Sequence, residues 1–170
     1  MIGISGCLLG KKCRYDGGHQ EQPALLTLLE NTAWLSICPE VEGGLPIPRE
    51  PGEIKGGDGF NVWQGQAKVI SAQGKNLTEA YQLGAKKAYK RLKQANIHLL
   101  ILKENSPSCG SHYIYDGSFS GYKKTGVGVA TAYFIQQGLT VFSENEIEEI
   151  AQWLANHPEE NTDFIERNVD

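Results

Sequence analysis

Three short apolar runs, Ile2 to Ser5, Trp34 to Ile37 and His98 to Leu102, each end shortly before a cysteine, and this repetition constrains the fold more than any other feature of the chain. Apolar, partly β-branched runs of this length, bounded by Gly or Pro, have the size of buried strands rather than helices. Gly6 closes the first run ahead of Cys7. Pro39 follows Cys38, at a point where proline cannot continue a central strand. Cys109 comes at the end of Lys103 to Gly110, a loop rich in turn formers. The pattern therefore predicts a thiol beyond the carboxyl end of each of three strands.

Helical patterns separate these runs. Pro23 opens a helix over Ala24 to Leu29. From Thr78 to about Ala95, Leu77, Tyr81, Ala85, Ala88 and Leu92 recur at helical spacing. Val127 to Gln137 reads as a helix stopped by Gly138, Thr140 to Phe142 as a strand, and Glu146 to Asn156 as the last helix. Glu42 to Gly65, rich in Gly and Pro, is expected to be a long irregular loop. Asn61 to Trp63 and Val69 to Ile70 would form a small hairpin or edge strand on either side of Gly65. Another loop is expected in the Gly- and Tyr-rich stretch after Cys109. Strands alternating with helices imply βαβ units with right-handed crossovers. The expected fold is α/β: a single three-layer domain over residues 1–158 with a mainly parallel, Rossmann-like sheet, then a polar C-terminal tail over 159–170. In such sheets ligands bind outside the carboxyl ends of the strands.

Composition narrows the function classes. A chain of 170 residues buries a sufficient core without disulfides, and 40% hydrophobic with 21% charged residues is the mix of a water-soluble globular protein. The longest apolar runs fall far short of the roughly 20 residues of a membrane span, so no membrane role is expected. The start lacks the basic region and long apolar stretch of an export signal, which points to the cytoplasm. A net charge of -4 argues against nucleic-acid binding, and Lys86, Lys87, Lys90, Arg91 and Lys93 read as the solvated face of a helix. A small neutral ligand fits better. Four cysteines, Cys7, Cys13, Cys38 and Cys109, in a reducing compartment read as thiols or metal ligands rather than disulfides.

Adjacent strands lie about 4.8 Å apart, so thiolates from three neighbouring strand ends can reach one metal centre. Thiolates favour iron–sulfur clusters, zinc or cuprous copper. A structural zinc site usually draws on closely paired ligands, whereas the nearest pair here, Cys7 and Cys13, has five residues between; zinc stays an alternative. Three ligands on a four-iron cubane leave one iron open as a Lewis acid. Cys13 could be a fourth ligand, a neighbouring thiol or a small buried residue, and is read as a non-ligand. Glu40, Asp16, Arg14, Ser106 and Ser108 flank the cysteines and are candidates for proton transfer or substrate contact. His19 and His112 are left outside the set. No G-x-G-x-x-G follows the first strand, and Gly126-x-Gly128 reads as a tight turn ahead of a helix.

The blocks Cys7-Leu8-Leu9-Gly10 with Cys13-Arg14-Tyr15-Asp16-Gly17, Cys38-Pro39-Glu40 with Gly43-Gly44-Leu45 and Pro48-Arg49, and Ser106-Pro107-Ser108-Cys109-Gly110 with Ile114-Tyr115-Asp116-Gly117 occur in one order from about Ile4 to Glu144. This pattern resembles the thiouracil desulfidase family. The resemblance implies a [4Fe-4S] cluster bound by Cys7, Cys38 and Cys109, whose free iron takes the sulfur of a thiolated pyrimidine while water replaces it, giving uracil and sulfide without redox change. It also implies that Glu40 and one of Ser106 and Ser108 assist protonation and water activation. Arg14, Asp16 and Asp116 are the expected substrate-binding residues. The competing reading is a non-enzymatic iron–sulfur or zinc protein, a sensor or sulfur carrier; a metal-free nucleotide-binding module ranks third.

Overall fold

The structure is a computed structural model and describes residues 1–160; residues 161–170, most of the expected tail, lie outside the described residues. The main sheet is formed by β1 (Ile2–Ser5), β2 (Trp34–Ile37), β5 (Leu99–Leu102) and β8 (Thr140–Ser143), in the order β2-β1-β5-β8 and parallel throughout. The main helices are α1 (Pro23–Leu28), α4 (Thr78–Gln94), α5 (Val129–Gln136) and α6 (Ile147–Asn156).

Every side chain of β5 is buried, and alternate residues face opposite layers, as the pleat requires. Leu100 and Leu102 pack with Ala85, Ala88 and Leu92 of α4 and with Ala130 and Phe134 of α5. Leu99 and Ile101 pack with Ile2 and Ile4 of β1, Leu25 of α1, and Ile150 and Leu154 of α6. Helices thus cover both faces, which is the three-layer α/β arrangement expected from the alternating pattern. The chain moves from β1 to β2 on one side and later places β5 on the other side of β1. The strand order therefore reverses between β1 and β5, and that reversal opens a crevice beyond their carboxyl ends.

Glu42 to Gly65 departs from the expected irregular loop. The turn after β2 is a short helix, α2 (Pro39–Glu42), with proline in its first position. β3 (Gly52–Lys55) pairs antiparallel with β4 (Lys68–Ser71), placing Glu53 opposite Ile70 and Ile54 opposite Val69. Asn61 to Trp63 is helical, not extended, because it belongs to α3 (Gly59–Trp63), which begins with a capping box. Asp58 Oδ1 accepts the Phe60 N–H at 3.0 Å, while Asn61 Oδ1 accepts the Asp58 N–H at 2.9 Å. The stretch after Cys109 also holds a strand pair, β6 (Tyr113–Tyr115) with β7 (Lys123–Thr125). Ile54, Val62, Val69, Tyr81, Ile114 and Val129 bury one another in a third apolar cluster that joins these pieces to α4 and α5.

α2 and α4 meet backbone to backbone. A Cβ on Gly84 of α4 would lie 1.8 Å from the Pro39 carbonyl oxygen. Gly84→Ala is expected to force α2 outward and to destabilise the fold by about 3 kcal/mol, the upper end of overpacking costs. Urea unfolding measures this. Among the described residues no helix is long and apolar enough to cross a membrane.

Candidate functional site

Three of the four strand ends, those of β1, β2 and β5, lead to a thiol in the crevice. Gly6–Leu9 forms a tight helical turn directly after β1 and carries Cys7. Cys38 caps α2 directly after β2, and its N–H donates to Glu42 Oε2 at 3.1 Å. Cys109 lies in the turn from Ser106 to Gly110, closed by the Gly110 N–H on the Ser106 carbonyl at 2.9 Å. The Ala130 N–H donates to the Ser108 carbonyl at 2.9 Å, fastening this turn to the start of α5. Cys7, Cys13, Cys38 and Cys109 all line one cavity of about 530 Å³, a size suited to a small ligand.

Cys13 enters on the loop after the first turn, where its thiol lies near those of Cys38 and Cys7, and the Cys38 thiol donates to the Cys13 carbonyl at 3.7 Å. All four cysteines are free. The Cys13 thiol is pushed up to about 11: the Cys38 hydrogen bond lowers it, but the Cys7 hydrogen bond and burial outweigh that. Cys38 is raised by its hydrogen bond with Cys13 and by burial, and Cys109 by burial with the nearby Glu40 charge. Ser108 Oγ is buried beside the Cys109 thiol and has no other hydrogen-bond partner. Among the described residues no three His, Cys, Asp or Glu side chains form a group that could hold a single metal ion. The donor set that shares the cavity is made of soft thiols, the ligand type that iron–sulfur clusters take.

Glu40, on α2, reaches the same cavity. Its Oε2 accepts from Arg49 Nε at 2.8 Å and Nη2 at 2.7 Å, and the pair is nearly buried, with 6% of the Arg49 and 13% of the Glu40 side chain exposed. Burial alone would lower the Arg49 pKa; the Glu40 carboxylate more than offsets this and raises it. Arg49 Nη2 also donates to the Cys13 carbonyl at 3.0 Å, and Nη1 to the Pro46 carbonyl at 3.2 Å. With Oε2 held by Arg49, Oε1 is left to the Ser106 hydroxyl at 3.5 Å. Ser106 Oγ in turn accepts the N–H groups of Ser108 and Cys109, both at 3.1 Å. One carboxylate is thereby tied to the turns bearing Cys13 and Cys109.

The family model described as 2-thiouracil desulfurase matches residues 2–146. The chain belongs to the 2-thiouracil desulfurase family. The resemblance carried by the cysteine motifs therefore holds. The chain is 47% identical over 150 residues to the Bacillus subtilis (strain 168) protein YbbK, named as uncharacterized, covering 88% of this chain and 99% of that one. It is also similar to a solved structure named [4Fe-4S]-dependent thiouracil desulfidase TudS, at 36% identity and a TM-score of 0.79, covering 91% of this chain and 97% of the other.

Of the residues singled out in the sequence, Cys7, Cys38, Cys109, Glu40, Ser106, Ser108 and Arg14 all line the cavity. Asp16 and Asp116 are not among its lining residues. Asp16 Oδ1 accepts the Gly18 N–H at 2.8 Å and stands 3.9 Å from Arg14 Nε. Asp116 Oδ1 accepts the Ser118 N–H at 2.9 Å. Both carboxylates hold turns. Arg49, Glu53, Tyr81 and Phe119 also line the cavity, and sequence reasoning assigned them no role. Arg49 was visible only as part of the Pro48-Arg49 block, because an ion pair between two loops leaves no periodic trace.

Glu104 supports the rim. Its Oε1 accepts the N–H groups of Ser111 at 2.9 Å, His112 at 3.0 Å and Tyr113 at 3.1 Å, and its Oε2 meets His112 Nδ1 at 2.9 Å. Burial pushes this carboxyl up, and the hydrogen bonds from His112, Tyr113 and Ser111 more than reverse it, leaving it below the ordinary value of 4.5. With the native value below the unfolded one, the stabilisation is complete above pH 4.5 and is lost as pH falls through the lowered native value. Glu104→Ala strands the N–H groups of Asn105, Ser111, His112 and Tyr113 and is expected to cost about 3 kcal/mol at neutral pH. Urea titrations should show the gap between variant and parent narrowing below pH 4.5.

Proposed function

We propose that this chain removes sulfur from thiolated pyrimidine bases such as 2-thiouracil, with Cys7, Cys38 and Cys109 holding a [4Fe-4S] cluster. The observation that carries this reading is the arrival of those three thiols from three adjacent strand ends at one cavity beside the Glu40 carboxylate. The similarity to TudS, whose name specifies both a cluster and thiouracil, supports it. The overall change joins water and a thiocarbonyl to give a carbonyl and hydrogen sulfide. A carbon–oxygen bond forms, the carbon–sulfur bond breaks, no electrons are exchanged, and both protons of the water end on sulfide. When bound, the cluster supplies a Lewis-acidic iron for the sulfur.

The chain's own residues do the rest. Glu40 Oε1 takes the proton from the attacking water and passes it on, while Arg49 holds Oε2 in place. Ser106 fixes Glu40 relative to the Cys109 turn, and Ser108 sits beside the Cys109 sulfur. Arg14 has a place in the cavity wall from which to meet a polar edge of the base, and Asp16 and Asp116 act on the loops. A reducing cytoplasm, which keeps the thiols free, is the compartment this chemistry needs.

Anaerobic reconstitution followed by incubation with 2-thiouracil tests the reading: sulfide and uracil should appear in equal amounts. No turnover of any thiolated base would defeat it. The contact of Cys13 with Cys7 and Cys38 favours a second reading, in which all four thiolates close the cluster and the protein senses or carries sulfur. Cys13→Ser separates them, retaining cluster and turnover under the first reading and losing cluster under the second.

A further inference from the structure

Phe119 has a backbone φ of +55°, a left-handed conformation that a bulky side chain rarely adopts. Such strain persists only where the surroundings over-determine it, and it gathers at ligand sites. Here the constraint is identifiable. Glu53 of β3 is buried, and its Oε1 accepts the Gly117 N–H at 3.0 Å and the Phe119 N–H at 3.1 Å. Gly117 presses so closely on β3 that a Cβ there would lie 2.7 Å from the Ile54 carbonyl oxygen. The β6–β7 connection is thus clamped onto β3 at its tip.

The core does not require this ring. Phe119 belongs to none of the three apolar clusters, yet it lines the cavity that holds the four thiols. Lys55 Nζ lies 6.0 Å from its ring centroid, within reach of a cation–π contact. A phenyl group offers a ligand no hydrogen bond, only a flat face, and base–aromatic stacking is tolerant of ring substituents for that reason. We propose that Phe119 is the platform on which the planar ring of the substrate stacks, and that Glu53 is the positioning residue that holds it there. This rests on the desulfidase reading and deepens it: the substrates are flat thiolated heterocycles as a class, selected by face rather than by one edge pattern.

The test uses the anaerobically reconstituted protein and uracil, which carries no sulfur to lose. Phe119→Leu keeps an apolar side chain and removes the ring. Its Kd for uracil by calorimetry, and its KM for 2-thiouracil, should rise about 10- to 100-fold, the loss of one base–aromatic stack, with kcat nearly retained. Phe119→Tyr should bind like the parent. Glu53→Gln should weaken uracil binding in the same direction with iron content unchanged, and it serves where Phe119→Leu fails to fold. Parental uracil affinity in both variants, even with a lowered Tm, would overturn the platform. If the parent released no sulfide while uracil binding still depended on Phe119, the platform would stand and the desulfidase reading would fall.

Discussion

Cys38→Ser is expected to emerge from anaerobic reconstitution colourless, with iron reduced from about four atoms per chain to a trace and with no sulfide released from 2-thiouracil. A serine hydroxyl is nearly isosteric, so the fold should survive. Its oxygen is a hard donor that stays protonated near neutral pH, and a soft cluster is not held by it. Cys7→Ser and Cys109→Ser should behave alike, since each removes one of the three strand-end thiols that share the cavity. Iron and acid-labile sulfide per chain, with circular dichroism as the control for folding, measure the effect. Full iron content in any of the three would remove that residue from the ligand set.

Glu40→Gln is expected to leave the cluster in place and to slow sulfide release by about 100- to 10,000-fold, the usual worth of a positioned proton-transfer group. The amide preserves shape, so it separates charge from packing. It also strands the nearly buried Arg49 guanidinium, and breaking such a pair typically costs about 3–5 kcal/mol, so urea unfolding should shift as well. Arg49→Lys should recover the charge and little of the rate, because one ammonium cannot match the fork that reaches Glu40 Oε2, the Cys13 carbonyl and the Pro46 carbonyl together. Comparable turnover in Glu40→Gln and the parent would take proton transfer away from this carboxylate.

The parallel sheet was legible because its strands announce themselves locally: each is a short apolar run stopped by Gly, Pro or a turn-rich loop, and three of them lead to a cysteine. That Cys7, Cys38 and Cys109 share a cavity follows from the adjacency of β2, β1 and β5 together with the turn that brings Cys109 back over β5. The segment from Glu42 to Gly65 was not legible, for a physical reason. Its elements are four or five residues long and draw their stability from distant partners, with Ile54 and Val62 buried against Tyr81, Ile114 and Val129. The Asp58–Asn61 capping box was the one local signal, and the neighbouring glycines obscured it. The partners of Glu40 were hidden likewise, because Arg49 and Ser106 reach it from separate loops. Glu53 and Phe119 meet across 66 residues of sequence, a distance at which no spacing rule operates.

On the proposed reading, three thiolates hold the cluster and the fourth iron is left to the substrate. Mössbauer spectra of protein reconstituted with isotopically enriched iron address this directly. One iron in four should differ from the rest, and it alone should shift when 2-thiouracil is added. Four equivalent irons that ignore the base would contradict it.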